Sequence, residues 1–100
     1  METDIRRTLV VSTGHLTRRV AYILQGNDHE FSRRTGLCWD PVEYGWLVRN
    51  VHTMATDKDY RRTCPRCLRD VIDVAHARKC DYVLFDCDAV ELGDLKLYDW

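Results

Sequence analysis

Three short apolar runs along the chain predict β-strands. The first covers residues 9–11, is rich in valine, and ends at the polar turn formed by residues 12–14, which is typical of a strand buried on both faces. The second lies within residues 43–51, where aromatic and β-branched side chains are enriched. The third, residues 82–85, is a compact run bounded by polar residues, so it is the clearest strand of the three.

Two segments with helical spacing of apolar residues separate these strands. In residues 16–24 the apolar side chains form one stripe, and Ser12 or Thr13 is the expected N-cap. The second helix is expected to begin near Pro65, which the first helical turn tolerates, and to end near Lys79. The stripes consist of Leu16, Val20, Ile23 and Leu24 in the first helix, and of Leu68, Val71, Ile72 and Ala75 in the second.

The remaining segments lack a clear period. Residues 27–41 are polar and rich in turn formers but hold several apolar side chains, which predicts an ordered loop packed onto the body. Residues 52–62 are polar and predict an exposed connection. The tail, residues 90–100, alternates weakly, so it is expected either to add an edge strand or to pack down.

The order β-α-β-α-β predicts one α/β domain over residues 1–100. Its sheet is expected to have three mostly parallel strands, because consecutive βαβ units cross over with one hand and place their strands side by side. The long link before the second strand leaves an alternative. If that strand enters antiparallel, the fold is α+β.

Composition and charge argue against several classes of function. With 45% hydrophobic and 31% charged residues, the 100-residue chain has the composition of an ordinary globular domain. Its net charge of −1 gives no reason to expect direct nucleic-acid binding. It has no apolar run of the roughly 20 residues that a membrane span requires, so no membrane association is expected. The five cysteines are odd in number and irregularly spaced, which predicts free thiols and a cytoplasmic protein.

Polar residues follow each predicted strand and define a candidate strand-end site. Open α/β sheets bind ligands at the carboxyl ends of their strands. Backbone N–H groups at the start of a helix can bind a phosphate there, and a pair of carboxylates can bind a divalent cation. These residues therefore suggest a small metal- or phosphate-binding enzyme. The alternative is that these residues are structural: Ser12 or Thr13 caps a helix, His15 lies on the surface, and Asp86 and Asp88 end a strand. The residues are Ser12, Thr13, His15, His52, Asp86 and Asp88.

Cys64 and Cys67 have the spacing of a zinc half-site or of a redox pair at a helix N-terminus. A redox motif of this kind is expected after the first strand, however, whereas this pair precedes the second helix. A zinc site would also need a second pair of ligands, and the chain offers none with suitable spacing. We therefore expect no metal or redox role for the two thiols.

The most distinctive stretch, residues 39–46, holds two tryptophans, a tyrosine and two carboxylates. Aromatic clusters of this kind are most often part of a core, so Trp39 and Trp46 are expected to pack inward and fix the long loop onto the sheet. If a ring is exposed instead, the stretch is a partner surface. The candidate partner residues are Asp40, Glu43, Tyr44 and Trp46.

Four segments, residues 9–15, 39–48, 80–88 and 98–100, together resemble a domain-of-unknown-function family of short proteobacterial proteins. The resemblance implies a setting on chromosomes, plasmids, integrative elements and phages, and it implies no activity. Cys64 and Cys67 are not part of the family pattern. The positions that coincide with it are His15, Asp40, Glu43, Tyr44, Trp46, Asp86 and Asp88.

We therefore expect a small non-catalytic module that binds a protein partner and needs no cofactor. Compact proteins of mobile elements often block host defence complexes, so the resemblance implies a partner such as a CRISPR system. The alternative from a different class is the strand-end enzyme, which would need a divalent metal ion or a phosphate ligand.

Overall fold

The computed structural model describes residues 5–26 and 28–98, which form a four-stranded mixed sheet and five helices. A short 3₁₀ turn, Thr13–His15, follows the first strand. The elements in chain order are β1 (Thr8–Ser12), α1 (Arg18–Gln25), α2 (His29–Thr35), β2 (Trp39–Val42), β3 (Gly45–Val48), α3 (Val51–Thr56), α4 (Lys58–Thr63), α5 (Arg66–Ala77) and β4 (Tyr82–Asp86).

The strands lie in the order β1-β4-β3-β2. β1 and β4 are parallel, with Val10 opposite Leu84. β3 is antiparallel to both of its neighbours, and it places Leu47 opposite Leu84 on the other side of β4. The predicted three-stranded, mostly parallel sheet is therefore wrong in detail, whereas the α+β alternative fits.

The strand predicted within residues 43–51 is instead a hairpin. Glu43 and Tyr44 form its turn, β2 precedes them, and β3 ends at Val48. β2 occupies the sheet edge, where Pro41 is tolerated because an edge strand can do without one backbone donor. The aromatic enrichment that indicated one strand is thus shared between two.

The core lies between one face of the sheet and the helices. Alternate strand residues point to it, including Val11 on β1, Val48 on β3 and Phe85 on β4, all of which are fully buried. The helices contribute the apolar stripes predicted from the sequence: Val20 and Leu24 from α1, and Leu68, Val71, Ile72 and Ala75 from α5. Val10 is 46% exposed on the opposite face, so the prediction that β1 is buried on both faces is wrong.

The first helix begins later than its predicted caps. Ser12 Oγ accepts a hydrogen bond from the Gly14 N–H at 3.0 Å, so it caps the 3₁₀ turn that contains Thr13. Thr17 caps α1, because its hydroxyl accepts a hydrogen bond from the Val20 N–H at 3.2 Å. The predicted caps, Ser12 and Thr13, therefore lie one short turn before the observed start of α1.

The predicted loop 27–41 contains α2 and the start of β2. Asp28 Oδ1 caps α2 by accepting hydrogen bonds from the Glu30 and Phe31 N–H groups. Phe31 is the one large apolar residue that α2 buries, so the helix has no repeated stripe to reveal it. Residue 27 lies outside the described residues.

The predicted exposed connection 52–62 is also helical. α3 buries Val51 and Met54 and packs against α5. Asp57 Oδ1 then accepts hydrogen bonds from the N–H groups of Asp59 and Tyr60, which begins α4. Both helices have six residues, too few for a helical period to show in the sequence.

The tail packs down and adds no strand within the described residues 87–98. Leu92, Leu95 and Tyr98 pack against the core, and the Tyr98 N–H donates to Gly14 O at 3.0 Å. Asp99 and Trp100, which belong to the segment 98–100, lie outside the described residues. Among the helices of residues 5–26 and 28–98, none has the length and apolar character to cross a membrane.

Candidate functional site

The parallel pairing of β1 with β4 brings part of the predicted strand-end site together. Ser12 lies directly opposite Asp86 in the register. Asp86 Oδ1 accepts a hydrogen bond from the Asp88 N–H at 2.8 Å, which folds the chain back at the end of β4. Thr13 is half-buried and lines the neighbouring groove beside the hairpin.

His15 is buried and already engaged at both ring nitrogens. Its Nε2 accepts a hydrogen bond from the Leu92 N–H at 2.9 Å, and its Nδ1 lies 3.0 Å from Lys96 O. Because Nε2 is an acceptor, the proton must be on Nδ1, which donates to the carbonyl. The alternative of a surface histidine is therefore wrong, and the ring holds the tail instead of facing a ligand.

His52 lies away from Asp86 because the second predicted strand runs in the other direction. β3 is antiparallel to β4, so its last residue, Val48, pairs with Val83 near the start of β4. His52 follows on α3 and contacts His76 of α5. The structure thus leaves the predicted site without either of its histidines.

Within the described residues, one group of three or more metal-ligating side chains lies close enough to share an ion: Asp86, Cys87 and Asp88, with ligand atoms within 4.8 Å of one another. The donors are mismatched, because carboxylates favour hard cations and a thiolate favours soft ones. Cys87 and Asp88 are also exposed. The cluster is an acidic patch at the end of β4, and we assign it no metal.

Cys64 and Cys67 are buried free thiols in the core. Burial, followed by the proximity of Cys67, raises the pKa of the Cys64 thiol to about 12. Metal ligation and redox attack both use the thiolate, which this environment disfavours. That the pair has neither role stays a prediction.

Trp39 packs into the core as predicted. Its Nε1–H donates to Leu24 O at 3.1 Å, and its ring meets Phe31 edge-on at a centroid distance of 5.9 Å. Trp46 is half-buried and lies opposite Phe85 on the core side of β3. Both tryptophans thus fix this segment to the body, although the segment is a hairpin.

The other candidate partner residues are exposed. Glu43 and Tyr44 form the hairpin turn, and Asp40 pairs with Arg49 through a 2.5 Å contact between Oδ2 and Nε. Gly45 follows the turn because its backbone is pressed against β4: a Cβ built there would lie 1.6 Å from Phe85 O. The partner surface proposed from the sequence is therefore divided, with Trp46 inside and Asp40, Glu43 and Tyr44 outside.

The outer face of the sheet carries an apolar row that the sequence prediction missed. Val10, Leu84 and Leu47 are neighbours in the register across β1, β4 and β3. A shallow groove of about 390 Å³ lies on this face. Its lining consists of Thr8, Val42, Glu43, Tyr44, Leu47, Leu84 and Asp86. The sequence does contain a signal for this row, because its apolar residues alternate with the core-facing ones along each strand.

A family model described as "Family of unknown function (DUF5983) C-terminal domain" matches residues 8–100. The chain belongs to this family. No curated protein matches it significantly, and neither does any solved structure. The family resemblance predicted from the sequence is thereby confirmed. The DUF5983 match begins at the first residue of β1 and includes the outer sheet face, the hairpin and His15 with both of its backbone partners.

Proposed function

We propose that this chain is a non-catalytic protein-binding module that contacts its partner through the outer face of its sheet. The observation that carries the proposal is the row Val10, Leu84 and Leu47, which extends across three strands on the face opposite the core. Val10 is 46% exposed, and Leu84 and Leu47 are half-buried. An uncovered apolar sheet face costs hydration free energy, and burying it against a partner recovers that cost. The alternative, a strand-end enzyme, is less supported because His15 and His52 have other contacts.

The charges around this face define the chemistry of the partner. Glu43 and Asp86 line the groove, and Asp88 lies next to it at the end of β4. Complementary charges steer association and exclude wrong partners. The matching surface is therefore an apolar ridge flanked by lysine and arginine side chains.

A host defence complex that targets nucleic acid is the specific partner we propose. Surfaces that bind nucleic acid are rich in lysine and arginine because they neutralise phosphates. The carboxylates beside the groove would compete with nucleic acid for such a surface. In this role the chain would serve a phage or another mobile element as an inhibitor, for example of a CRISPR complex.

Affinity capture with matched variants tests the binding face. We expect the wild-type chain to retain a specific protein from a bacterial lysate, and V10D to lose it because a charge interrupts the apolar row. The matched control is Y22D, which alters a 77% exposed aromatic residue on α1. E43K should weaken retention of the same protein. Equal retention by V10D, or no specific partner from several hosts, would contradict the proposal.

The inhibitor role has its own test. Expression of the chain in a bacterial strain immune to a phage should restore plaque formation, and V10D should not restore it at equal protein level. Y22D should behave as the wild type. If plating stays suppressed while a specific partner is still captured through the sheet face, the module binds a protein of another kind.

A further inference from the structure

A pair of histidines bridges the two packed helices α3 and α5. His52 on α3 and His76 on α5 place Nδ1 and Nε2 3.3 Å apart. Their ring centroids are 5.3 Å apart, and the rings are tilted by 48°. Both side chains are exposed, so solutes in the surrounding water reach them directly.

The spacing of these nitrogens equals that of two ligands on one metal ion. Metal–imidazole bonds of ~2.0–2.1 Å at a tetrahedral angle separate their nitrogens by roughly 3.3 Å. We propose that His52 and His76 form a binding site for a late first-row divalent metal ion such as Zn²⁺ or Ni²⁺. Water completes the coordination of such a two-ligand site.

The backbone already holds the two ligands in place. His52 lies between the buried residues Val51 and Met54, and His76 follows the buried Ala75. α3 and α5 pack directly against each other, so the relative position of the two ligands is set by the core. Binding an ion requires the tautomers in which neither facing nitrogen carries a proton, and rotation of the rings about a torsion that is soft in histidine. Preorganisation of this kind lowers the entropy cost of binding.

The donor set selects the class of metal. Imidazole nitrogen suits Ni²⁺, Cu²⁺ and Zn²⁺, whereas Mg²⁺ and Ca²⁺ require oxygen ligands. The carboxylate one turn before His76, Asp73, is engaged by Arg61 through contacts of 2.5 and 3.1 Å. The site therefore consists of two imidazole nitrogens, and a bound ion would link α3 to α5.

Nickel titration of the full chain is the direct test, because Ni²⁺ favours imidazole and, unlike Cu²⁺, does not oxidise the free thiols. At a Ni²⁺ concentration 100 times its Kd, the folding equilibrium constant should rise about 100-fold. Either H52A or H76A should abolish the rise, because each removes half of the site. The control H29A, which removes an exposed histidine of α2, should retain it.

A second measurement on the wild-type chain avoids any dependence on variant folding. Paramagnetic Ni²⁺ should broaden the ring resonances of His52 and His76 before those of His29, and equal Mg²⁺ should broaden none. The proposal is overturned if Ni²⁺ neither stabilises the chain nor broadens these resonances. It is also overturned if nickel stabilisation survives in both H52A and H76A.

Discussion

His15 accepts a hydrogen bond from the backbone N–H of Leu92 at 2.9 Å, although 77 positions separate the two residues in the chain. The second ring nitrogen reaches Lys96 O, so one buried imidazole holds two points of the tail. Tyr98 continues this attachment through its N–H bond to Gly14 O. His15, a member of the predicted strand-end site, therefore holds the C-terminal segment against the body.

Replacing His15 with alanine should destabilise the fold by about 1–3 kcal/mol, because it leaves a donor and an acceptor without their partner. Chemical denaturation measures the loss, and hydrogen exchange at the Leu92 amide should accelerate. The control H29A alters an exposed side chain and should stay within about 0.5 kcal/mol of the wild type. Unchanged exchange at Leu92 in H15A would show that the tail is held by other contacts.

Gly45 to alanine should also be costly. The added Cβ would meet Phe85 O at 1.6 Å, so β3 would have to move away from β4. Overpacking of this kind costs about 1–3 kcal/mol, which thermal unfolding detects as a lower Tm. Gly93 is the matched control, because a Cβ there has no neighbour within 4 Å. Equal melting temperatures for G45A and G93A would refute the close approach.

Trp39 to alanine should destabilise the chain by about 3–5 kcal/mol, since it empties a buried site. W39F tests the hydrogen bond separately. It keeps an aromatic ring beside Phe31 but removes the donor to Leu24 O, so it should cost less than W39A. Unfolding by denaturant ranks the two variants. A W39A chain as stable as the wild type would place this indole outside the core.

The thiols should differ in reactivity with iodoacetamide, as followed by mass spectrometry. Cys87 is exposed and should be modified first, whereas Cys64 should resist until the chain unfolds. Burial raises the pKa of Cys64 from 9.0 to about 12, so the folded state keeps this thiol neutral. Its contribution to stability is complete below about pH 9 and is lost as the pH rises toward 12. Early modification of Cys64 in the native chain would contradict this.

The elements predicted correctly are those with a long or strong pattern. β4 and α5 stood out because one is a compact apolar run and the other presents a stripe over several turns. α2, α3 and α4 have only six or seven residues, too few for a period to reveal them. Aspartate caps begin α2 and α4, whereas α3 has no side-chain cap and is held by its packing against α5. The hairpin was missed because two adjoining short strands look like one longer run.

The candidate site was predictable only where strand direction was guessed correctly. Ser12 and Asp86 meet because β1 and β4 are parallel, whereas His52 is elsewhere because β3 is antiparallel. The partners of His15 are backbone groups, which leave no trace in side-chain composition. The apolar row was hidden because valine and leucine on the outer face lengthen the same runs that indicate a buried strand.

Methyl NMR of the chain with its captured partner tests the binding face most directly. The methyl signals of Val10, Leu47 and Leu84 are expected to shift on binding, because these side chains form the outer row. The methyls of Ile23 and Val74, on α1 and α5, should keep their positions. Shifts confined to Ile23 and Val74, with Val10, Leu47 and Leu84 unchanged, would contradict the assignment of the open sheet face as the interface.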